Sequence, residues 1–227
     1  MPDLAGAVWP ELPERPLLVV PLGSVEQHGH HLPLATDTVV AEAVARAAGL
    51  DGVLAPAVPY GASGEHEGFP GTVSIGTEAL AALLVEYGRS ACRWAGRLLV
   101  VNGHGGNLDA LRRAVPLLRA EGRDAAWFPC AVPGGDAHAG RTETSLLSHV
   151  EPAAVRTDRS VPGVTTPVAE LLPRLRAEGV RAVSPTGVLG DPAGATADEG
   201  ARLLAGMAAR LAAAAARWDV GDDGRLG

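Results

Sequence analysis

The chain contains no lysine, and all 19 of its basic residues are arginine. This absence excludes enzymes that form a Schiff base through lysine, and nucleotide-binding proteins that need a phosphate-loop lysine. Acidic residues are in excess, and the net charge is −7 at pH 7. Because the arginines are dispersed along the chain, we expect no nucleic acid partner.

Cysteine and long apolar runs are also scarce. Cys92 and Cys130 are too few for a disulfide framework in a chain of 227 residues, and we interpret both as small buried hydrophobic residues. No apolar run approaches the roughly 20 residues that span a bilayer, and the N-terminus lacks a signal-peptide pattern. We therefore expect a cytoplasmic protein without a membrane segment.

Short apolar runs alternate with helical patterns along the sequence. Strands are predicted over 17–22, 53–58, 98–101 and 125–131, and helices over 38–48, 77–95, 108–120, 142–149, 168–178 and 198–218. This alternation predicts an α/β fold in which helices cover both faces of a mostly parallel sheet. We expect a single domain over residues 1–220, followed by a disordered tail over 221–227.

The loop after the first predicted strand is rich in metal-ligand side chains. Glu26 and His28 lie two residues apart, so on an extended chain both side chains point to the same side. With Asp37 they supply the carboxylates and imidazole that a divalent metal requires, whereas each residue taken alone is better explained by a solvated polar loop. His30 and His31 follow next to a proline-containing turn, and we do not expect them to bind metal.

The loop after the strongest predicted strand, over 102–107, is rich in glycine. Because glycine lets the backbone approach a ligand closely, we expect Gly105 and Gly106 to contact substrate and His104 to bind metal. A phosphate-binding loop is the rival interpretation, but the required lysine and G-x-G-x-x-G spacing are absent. Asn102 and Asn107 are interpreted as a turn former and a helix cap.

Two further loops carry candidate residues. His138 lies in a small-residue loop, and Glu143 lies in the first turn of a predicted helix, where it also matches the helix dipole. Glu65 and His66 belong to a glycine-rich segment that predicts a mobile substrate-binding loop, although simple exposure explains them equally well. No G-x-S-x-G motif is present, so metal-activated water is the expected nucleophile.

Three motifs together resemble the creatininase (creatinine amidohydrolase) family. They are GSVEQHGHHLPLATD from Gly23, NGHGGN from Asn102 and HAGRTETS from His138. The resemblance spans nearly the whole chain. It implies a three-layer α/β/α domain, two divalent metal ions per subunit (Zn, Fe or Mn), hydrolysis of amide C–N bonds and a homo-oligomer.

The resemblance also implies roles for individual residues. Glu26 and His28 match ligands of different metals, Asp37 matches the ligand that bridges them, and His104 matches a further ligand. His138 matches the catalytic histidine of the family.

One ligand of the creatininase pattern is missing from this chain. Creatininase has a glutamate two residues after the histidine of its glycine loop, whereas this chain has Gly106 there. Glu143 is the candidate replacement, and it is either a metal ligand or a catalytic general base. The departure argues against creatinine as the substrate.

Further segments resemble a peptidase branch of the same family. They are Ala57–His66, Ile75–Leu80, Leu84–Ser90 and Thr186–Pro192. This resemblance implies that the substrate is a modified precursor peptide, cut near its C-terminus to release a dipeptide derived from Val-Tyr. The alternatives are an amidohydrolase for a small cyclic amide or formamide, and a non-catalytic protein that binds a metal or a partner.

Overall fold

Four parallel strands form the centre of the computed structural model, which describes residues 1–227. The strands are β1 (Leu17–Leu22), β2 (Val53–Leu54), β3 (Arg97–Asn102) and β4 (Ala125–Pro129). Their order in the sheet is β2-β1-β3-β4, and every neighbouring pair is parallel. β1 and β3, which precede the two richest polar loops, are therefore neighbours at the centre of the sheet.

Seven α-helices surround the sheet. They are α1 (Thr36–Ala47), α2 (Gly76–Ala91), α3 (Leu108–Ala120), α4 (Arg141–Val150), α5 (Val168–Glu178), α6 (Val180–Val183) and α7 (Ala197–Arg217). Single turns of 3₁₀ helix occur at Leu4–Gly6, Trp9–Glu11, Gly64–His66, Gly105–Asn107, Pro152–Ala154 and Thr157–Arg159. α7 begins with a capped turn, because the Thr196 side chain accepts a hydrogen bond from the Glu199 N–H at 3.2 Å. No helix is both long and apolar enough to span a bilayer.

Side chains that alternate along the strands build two hydrophobic cores. In β3, Leu98 and Val100 belong to the core that also contains residues of α2 and α3. Leu99 and Val101 face the opposite way, into the core shared with α1, α4 and α7. Strands buried on both faces explain the continuous apolar runs in the sequence. The three-layer α/β/α prediction is confirmed.

The structure follows the predicted elements closely but shortens some of them. β1, α3 and α5 have the predicted bounds, whereas α2 ends at Ala91 instead of residue 95. The predicted strand over 53–58 contains only two strand residues, and irregular backbone that includes Pro56 follows them. The chain still runs beside β1 after this interruption, since the Val58 N–H donates to the Pro21 carbonyl at 2.9 Å.

The last seven residues do not form the expected disordered tail. The Leu226 side chain is 1% exposed, and the Leu226 N–H donates to the Trp127 carbonyl of β4 at 2.8 Å. The Trp127 indole N–H donates to the Asp223 carbonyl at 2.9 Å. One leucine among glycines and aspartates gives too weak a sequence signal for this docking, which the structure places along β4.

Candidate metal centre

Asp37 lies at the centre of a buried cluster of carboxylates and imidazoles. One of its oxygens is 3.1 Å from Nε2 of His28, and the other is 3.1 Å from Nδ1 of His104. The Ser24 hydroxyl donates to the second oxygen at 2.6 Å. Because the two carboxylate oxygens face different histidines, Asp37 is placed to contact two cations at once.

Three sets of ligand-type atoms surround this position. They are Glu26–Asp37–His104, His28–Asp37–Glu143 and Glu26–His28–His138. Within each set the candidate ligand atoms lie within 4.8 Å of one another. The first two sets share Asp37 and divide Glu26 and His28 between them, whereas the third set contains both Glu26 and His28. The assignment of these residues to different metals stays a prediction.

The environment of the Glu26 carboxylate indicates whether these residues suit a metal ion. It is fully buried, and neither of its oxygens has a hydrogen-bond partner. Nε2 of His66 and Nε2 of His104 both lie 3.2 Å from it, but not in hydrogen-bonding geometry. A buried carboxylate in this state is costly unless a cation compensates it. The oxygen and imidazole donors fit a divalent ion.

Two glycines allow the loops after β1 and β3 to meet the start of α1. A Cβ on Gly103 would collide with the backbone carbonyl of Asp37, and a Cβ on Gly23 would collide with the backbone of Thr38. Glycine is therefore required at both positions. The close approach brings Asp37, in the first turn of α1, beside His104.

Asn107 connects the loops around the cluster. Its amide nitrogen donates to the Gly23 carbonyl at 2.9 Å and to Oδ1 of Asn102 at 3.0 Å, and its oxygen accepts from the Ala62 N–H at 2.9 Å. The interpretation of Asn107 as a helix cap is wrong, because its side chain makes no capping bond at the start of α3.

The charges of the cluster raise the pKa values of His28 and His104. Burial lowers the pKa of both imidazoles, but the nearby carboxylates raise it by more. The main carboxylate is Asp37 for His28 and Glu26 for His104. The pKa of His28 rises to about 9 and that of His104 to about 10. Without a metal, both imidazoles are therefore protonated at neutral pH.

The three carboxylates of the cluster respond to burial differently. Burial raises the pKa of Glu26 and of Glu143 to about 7. Burial also acts on Asp37, but the two protonated histidines outweigh it and hold the pKa of Asp37 well below its usual value. Asp37 is therefore the carboxylate that stays ionised throughout the neutral range.

Glu143 reaches the cluster from the first turn of α4. Its Oε2 lies 3.9 Å from Nε2 of His28 and accepts a hydrogen bond from the Ala139 N–H at 2.6 Å. Helix-dipole matching alone does not account for this inward orientation. The candidate ligand role of Glu143 stays a prediction.

His138 and His66 lie beside the cluster and are held neutral. Burial, followed by the charge of His28, lowers the pKa of His138 well below its usual value. Burial and the charge of His104 lower the pKa of His66 to about 3. The His138 ring lies 4.3 Å from the ring of His28 and 4.5 Å from that of His66, and its Nδ1 is 3.8 Å from Glu26.

The predicted substrate-binding residues occupy different environments. His66 is buried against Glu26, whereas Glu65 is partly exposed and lies 3.6 Å from Nε2 of His104. A Cβ on Gly106 would lie 2.7 Å from Oε1 of Glu65 and would collide with the Ala62 carbonyl, so no side chain fits there. A Cβ on Gly105 would meet nothing within 4 Å.

A cavity gives access to the cluster. It has a volume of about 220 Å³, and its lining includes Asp37, His104, Gly105, His138 and Glu143. Three candidate ligands, Asp37, His104 and Glu143, therefore face a common space with Gly105, whereas Glu26 and His28 do not line it.

His30 and His31 lie outside all three ligand sets. His30 is exposed, whereas His31 is buried and its Nε2 is 2.8 Å from the Thr144 hydroxyl. The expectation that neither residue binds metal stays a prediction.

Sequence reasoning missed Ser24, Gln27 and Asn107. Ser24 and Gln27 flank Glu26 within two residues, and that proximity was the only signal available for them. Gln27 reaches Nδ1 of His66 at 2.9 Å and Nε2 of His138 at 3.0 Å. These contacts depend on tertiary folding and have no local sequence pattern.

Comparison with solved structures places the fold among creatininases. A mutant creatininase superposes with a TM-score of 0.77 at 25% identity, and the match covers 95% of this chain and 98% of that chain. Other solved relatives of this fold are described as a Zn-Zn type of creatininase and as "Creatininase Mn".

Sequence comparison agrees with the structural one. The mycofactocin precursor peptide peptidase of Mycolicibacterium smegmatis is 59% identical over 219 residues, which cover 93% of this chain and 89% of that protein. The creatinine amidohydrolase of Pseudomonas putida is 29% identical over 191 residues, which cover 69% of this chain and 74% of that protein. The family model of creatininase, creatinine amidohydrolase, matches residues 5–215. The chain therefore belongs to the creatininase family.

Proposed function

We propose that this chain is a metal-dependent peptidase that cuts the modified mycofactocin precursor peptide near its C-terminus and releases the dipeptide derived from Val-Tyr. The observation that carries the hydrolytic part is the buried ligand cluster centred on Asp37, which opens into a cavity. The 59% identity to a mycofactocin precursor peptide peptidase supports the substrate.

Two divalent ions would be held by residues that share one carboxylate. Glu26, Asp37 and His104 would hold one ion, and His28, Asp37 and Glu143 the other. Such an ion lowers the pKa of water and polarises a carbonyl oxygen. The named Zn and Mn forms of solved creatininases support these metals, and Fe suits the same oxygen and imidazole donors.

The residues of the chain itself would move protons and position the substrate. His138 is neutral, and its Nδ1 lies 3.8 Å from Glu26, so this nitrogen is placed to accept a proton from the attacking water and to pass it on to the leaving amine. Glu143 lines the cavity with a pKa of about 7, which suits a group that accepts and returns a proton near neutral pH. Gly105 leaves room for substrate beside His104, and Glu65 would contact the substrate from the opposite loop.

The test is incubation of the purified, metal-loaded protein with the modified precursor peptide. We expect mass spectrometry to detect the released dipeptide and the shortened peptide. The unmodified precursor peptide and chelator-treated protein serve as controls. Intact peptide after incubation with protein that carries its full metal content would contradict the proposal, and metal binding without turnover of any amide would favour a non-catalytic binding protein.

A second candidate is hydrolysis of a small cyclic amide or formamide. The cavity of about 220 Å³ and the 29% identity to creatinine amidohydrolase favour it. The absence of a side chain at Gly106 argues against creatinine itself. A panel of cyclic amides, formamides and the modified peptide, assayed side by side, separates the two candidates by their relative kcat/KM values.

We also propose that residues 1–220 act as one catalytic domain in a cytoplasmic homo-oligomer. The match to the family model over residues 5–215 supports the single domain. Light scattering of the purified protein tests the assembly, and metal analysis of the same sample measures the ions per chain.

A further inference from the structure

The amide of Gln27 is buried and held in one orientation by two backbone groups. The Gly29 N–H lies 2.9 Å from Oε1 of Gln27, and the Gly187 carbonyl lies 3.1 Å from its Nε2. A backbone N–H only donates and a backbone carbonyl only accepts. The oxygen and nitrogen ends of the Gln27 amide are therefore assigned by their partners.

Gly187 is required for this arrangement. Its φ is +80°, and a Cβ on it would collide with Oε1 of Gln27. The Gln27 side chain is thus packed directly against the Gly187 backbone. A flipped amide would place its oxygen against the Gly187 carbonyl and its nitrogen against the Gly29 N–H, so both backbone partners favour the orientation described.

The orientation of Gln27 determines where the His66 proton lies. One amide hydrogen of Gln27 goes to the Gly187 carbonyl, and the other faces Nδ1 of His66 at 2.9 Å. That nitrogen must accept, so neutral His66 carries its proton on Nε2. Nε2 lies 3.2 Å from the buried Glu26 carboxylate, which therefore faces an N–H group.

The backbone of residue 27 determines the tautomer of His138. Nε2 of His138 lies 2.8 Å from the Gln27 carbonyl, which only accepts, so this nitrogen carries the proton. The contact of 3.0 Å to the Gln27 amide nitrogen then joins two donors, and the amide hydrogens point to their other partners. Nδ1 of neutral His138 keeps its lone pair and faces Glu26 at 3.8 Å.

We propose that Gln27 is a positioning residue that fixes the tautomers of His66 and His138, so that Glu26 meets an N–H from one and a lone pair from the other. The proton-bearing Nε2 of His66 lies 3.2 Å from one Glu26 oxygen, and Nε2 of His104 lies 3.2 Å from the other. The His138 lone pair remains free for a cation or a proton. The consequence for catalysis rests on the proposed hydrolase function, whereas the tautomers are properties of the metal-free chain.

The direct test is long-range ¹⁵N–¹H NMR of the histidine side chains in the metal-free protein. We expect the Nε2–H tautomer for both His66 and His138. His66→Gln and His138→Gln variants identify the two signals among those of the 7 histidines. An Nδ1–H tautomer of either residue in the unmodified chain would overturn the proposal.

The Gln27→Glu variant distinguishes the effect of the residue 27 side chain from the effect of its backbone carbonyl. A carboxylate accepts where the amide donated, so we expect His66 to move its proton to Nδ1 while His138 keeps its proton on Nε2. A purely structural role predicts no such selective change. Retention of the Nε2–H tautomer by His66 in this variant would also refute the proposal.

Gln27→Met provides a second variant of similar length that neither donates nor accepts a strong hydrogen bond. We expect a mixture of His66 tautomers, and metal affinity, measured by competition with a chelator, about 10- to 100-fold weaker than in the unmodified chain. Unchanged His66 tautomer and unchanged metal affinity in this variant would contradict the positioning role. Neither measurement uses substrate, so failure of the peptidase proposal leaves this test intact.

Discussion

At the scale of single residues, Asp37 differs from the other candidate ligands because it is common to the two sets that we propose to hold ions, Glu26–Asp37–His104 and His28–Asp37–Glu143. His28 belongs to only one set that contains Asp37, and its partner there is Glu143. We therefore expect Asp37→Ala to lose both metal ions and His28→Ala to retain the ion held by Glu26 and His104. Metal analysis after gel filtration measures the ions per chain, and full occupancy in Asp37→Ala would contradict the shared position.

His30→Ala is the matched control for these variants. His30 is an exposed histidine two residues from His28, and it lies outside all ligand sets. We expect its metal content to equal that of the unmodified chain.

Variants of His138 and Glu143 are expected to differ in metal content and in activity. We expect His138→Gln to keep both ions and to lose about 10²- to 10⁴-fold in kcat, which is the usual contribution of a proton-transfer group. Loss of an ion from this variant would instead make His138 a ligand.

Glu143→Gln distinguishes the two roles of Glu143: a variant with full metal and low kcat indicates a base, and a variant with one ion fewer indicates a ligand.

The candidate ligands could be predicted from the sequence, but the residues that position the surrounding side chains could not. Glu26, His28, Asp37 and His104 stand at strand ends in residue types that metals require. Gln27, by contrast, contacts His138 across 111 positions and Gly187 across 160. A glutamine has many uses in proteins, and only the folded chain identifies which one applies.

At the scale of elements, the contact between the β3 loop and α1 depends on one glycine. Gly103→Ala places a methyl group against the Asp37 carbonyl, and we expect a cost of about 1–3 kcal/mol in the free energy of unfolding. For a chain of this size the melting temperature should fall by roughly 2–4 °C for each kcal/mol. Thermal denaturation followed by circular dichroism measures the change.

Gly105→Ala is the control for that substitution. The added methyl group at Gly105 meets nothing within 4 Å, so we expect the melting temperature to stay within about 1 °C of that of the unmodified chain. Equal losses in the two variants would show that the close approach at Gly103 has no energetic effect.

Elements with a clear periodic pattern were predicted correctly, and interrupted ones were not. β1 and α3 have continuous apolar or amphipathic patterns and have the predicted bounds. β2 has only two strand residues, and its pairing with β1 continues through irregular backbone. No local pattern predicts such pairing, since the partner strand supplies it.

At the scale of the whole molecule, the cluster links stability to pH. The pKa values of His28 and His104 are raised from 6.5 to about 9 and about 10. A histidine whose pKa is higher in the folded chain than in the unfolded chain stabilises the folded state at pH values below its unfolded pKa. This stabilisation is lost as the pH rises through the pKa of the folded chain. We expect the melting temperature of chelator-treated protein to fall steadily between pH 7 and pH 10.

Metal-loaded protein is the control for this pH dependence. Its imidazoles are already deprotonated by the ions, so we expect a smaller fall over the same range. Half-buried Tyr87, whose pKa is raised by burial alone, contributes equally to both samples. Identical curves with and without metal would contradict the assignment of His28 and His104 to the centre.

The fold class could be predicted because the alternation of strands and helices is visible in the sequence as short apolar runs between helical patterns. The packing of the C-terminal residues could not, since it depends on Leu226 meeting the backbone of Trp127. Neither residue has a neighbour in sequence that signals the contact.

The two ends of the chain lie along the two outer strands of the sheet. Near the N-terminus, the Pro2 carbonyl accepts from the Leu54 N–H of β2 at 2.9 Å, and near the C-terminus Arg225 pairs with Trp127 of β4. Outer strands otherwise present free N–H and carbonyl groups that invite strands from other molecules. Because both outer strands are already paired at these positions, a strand from another molecule cannot pair with Leu54 or Trp127 there.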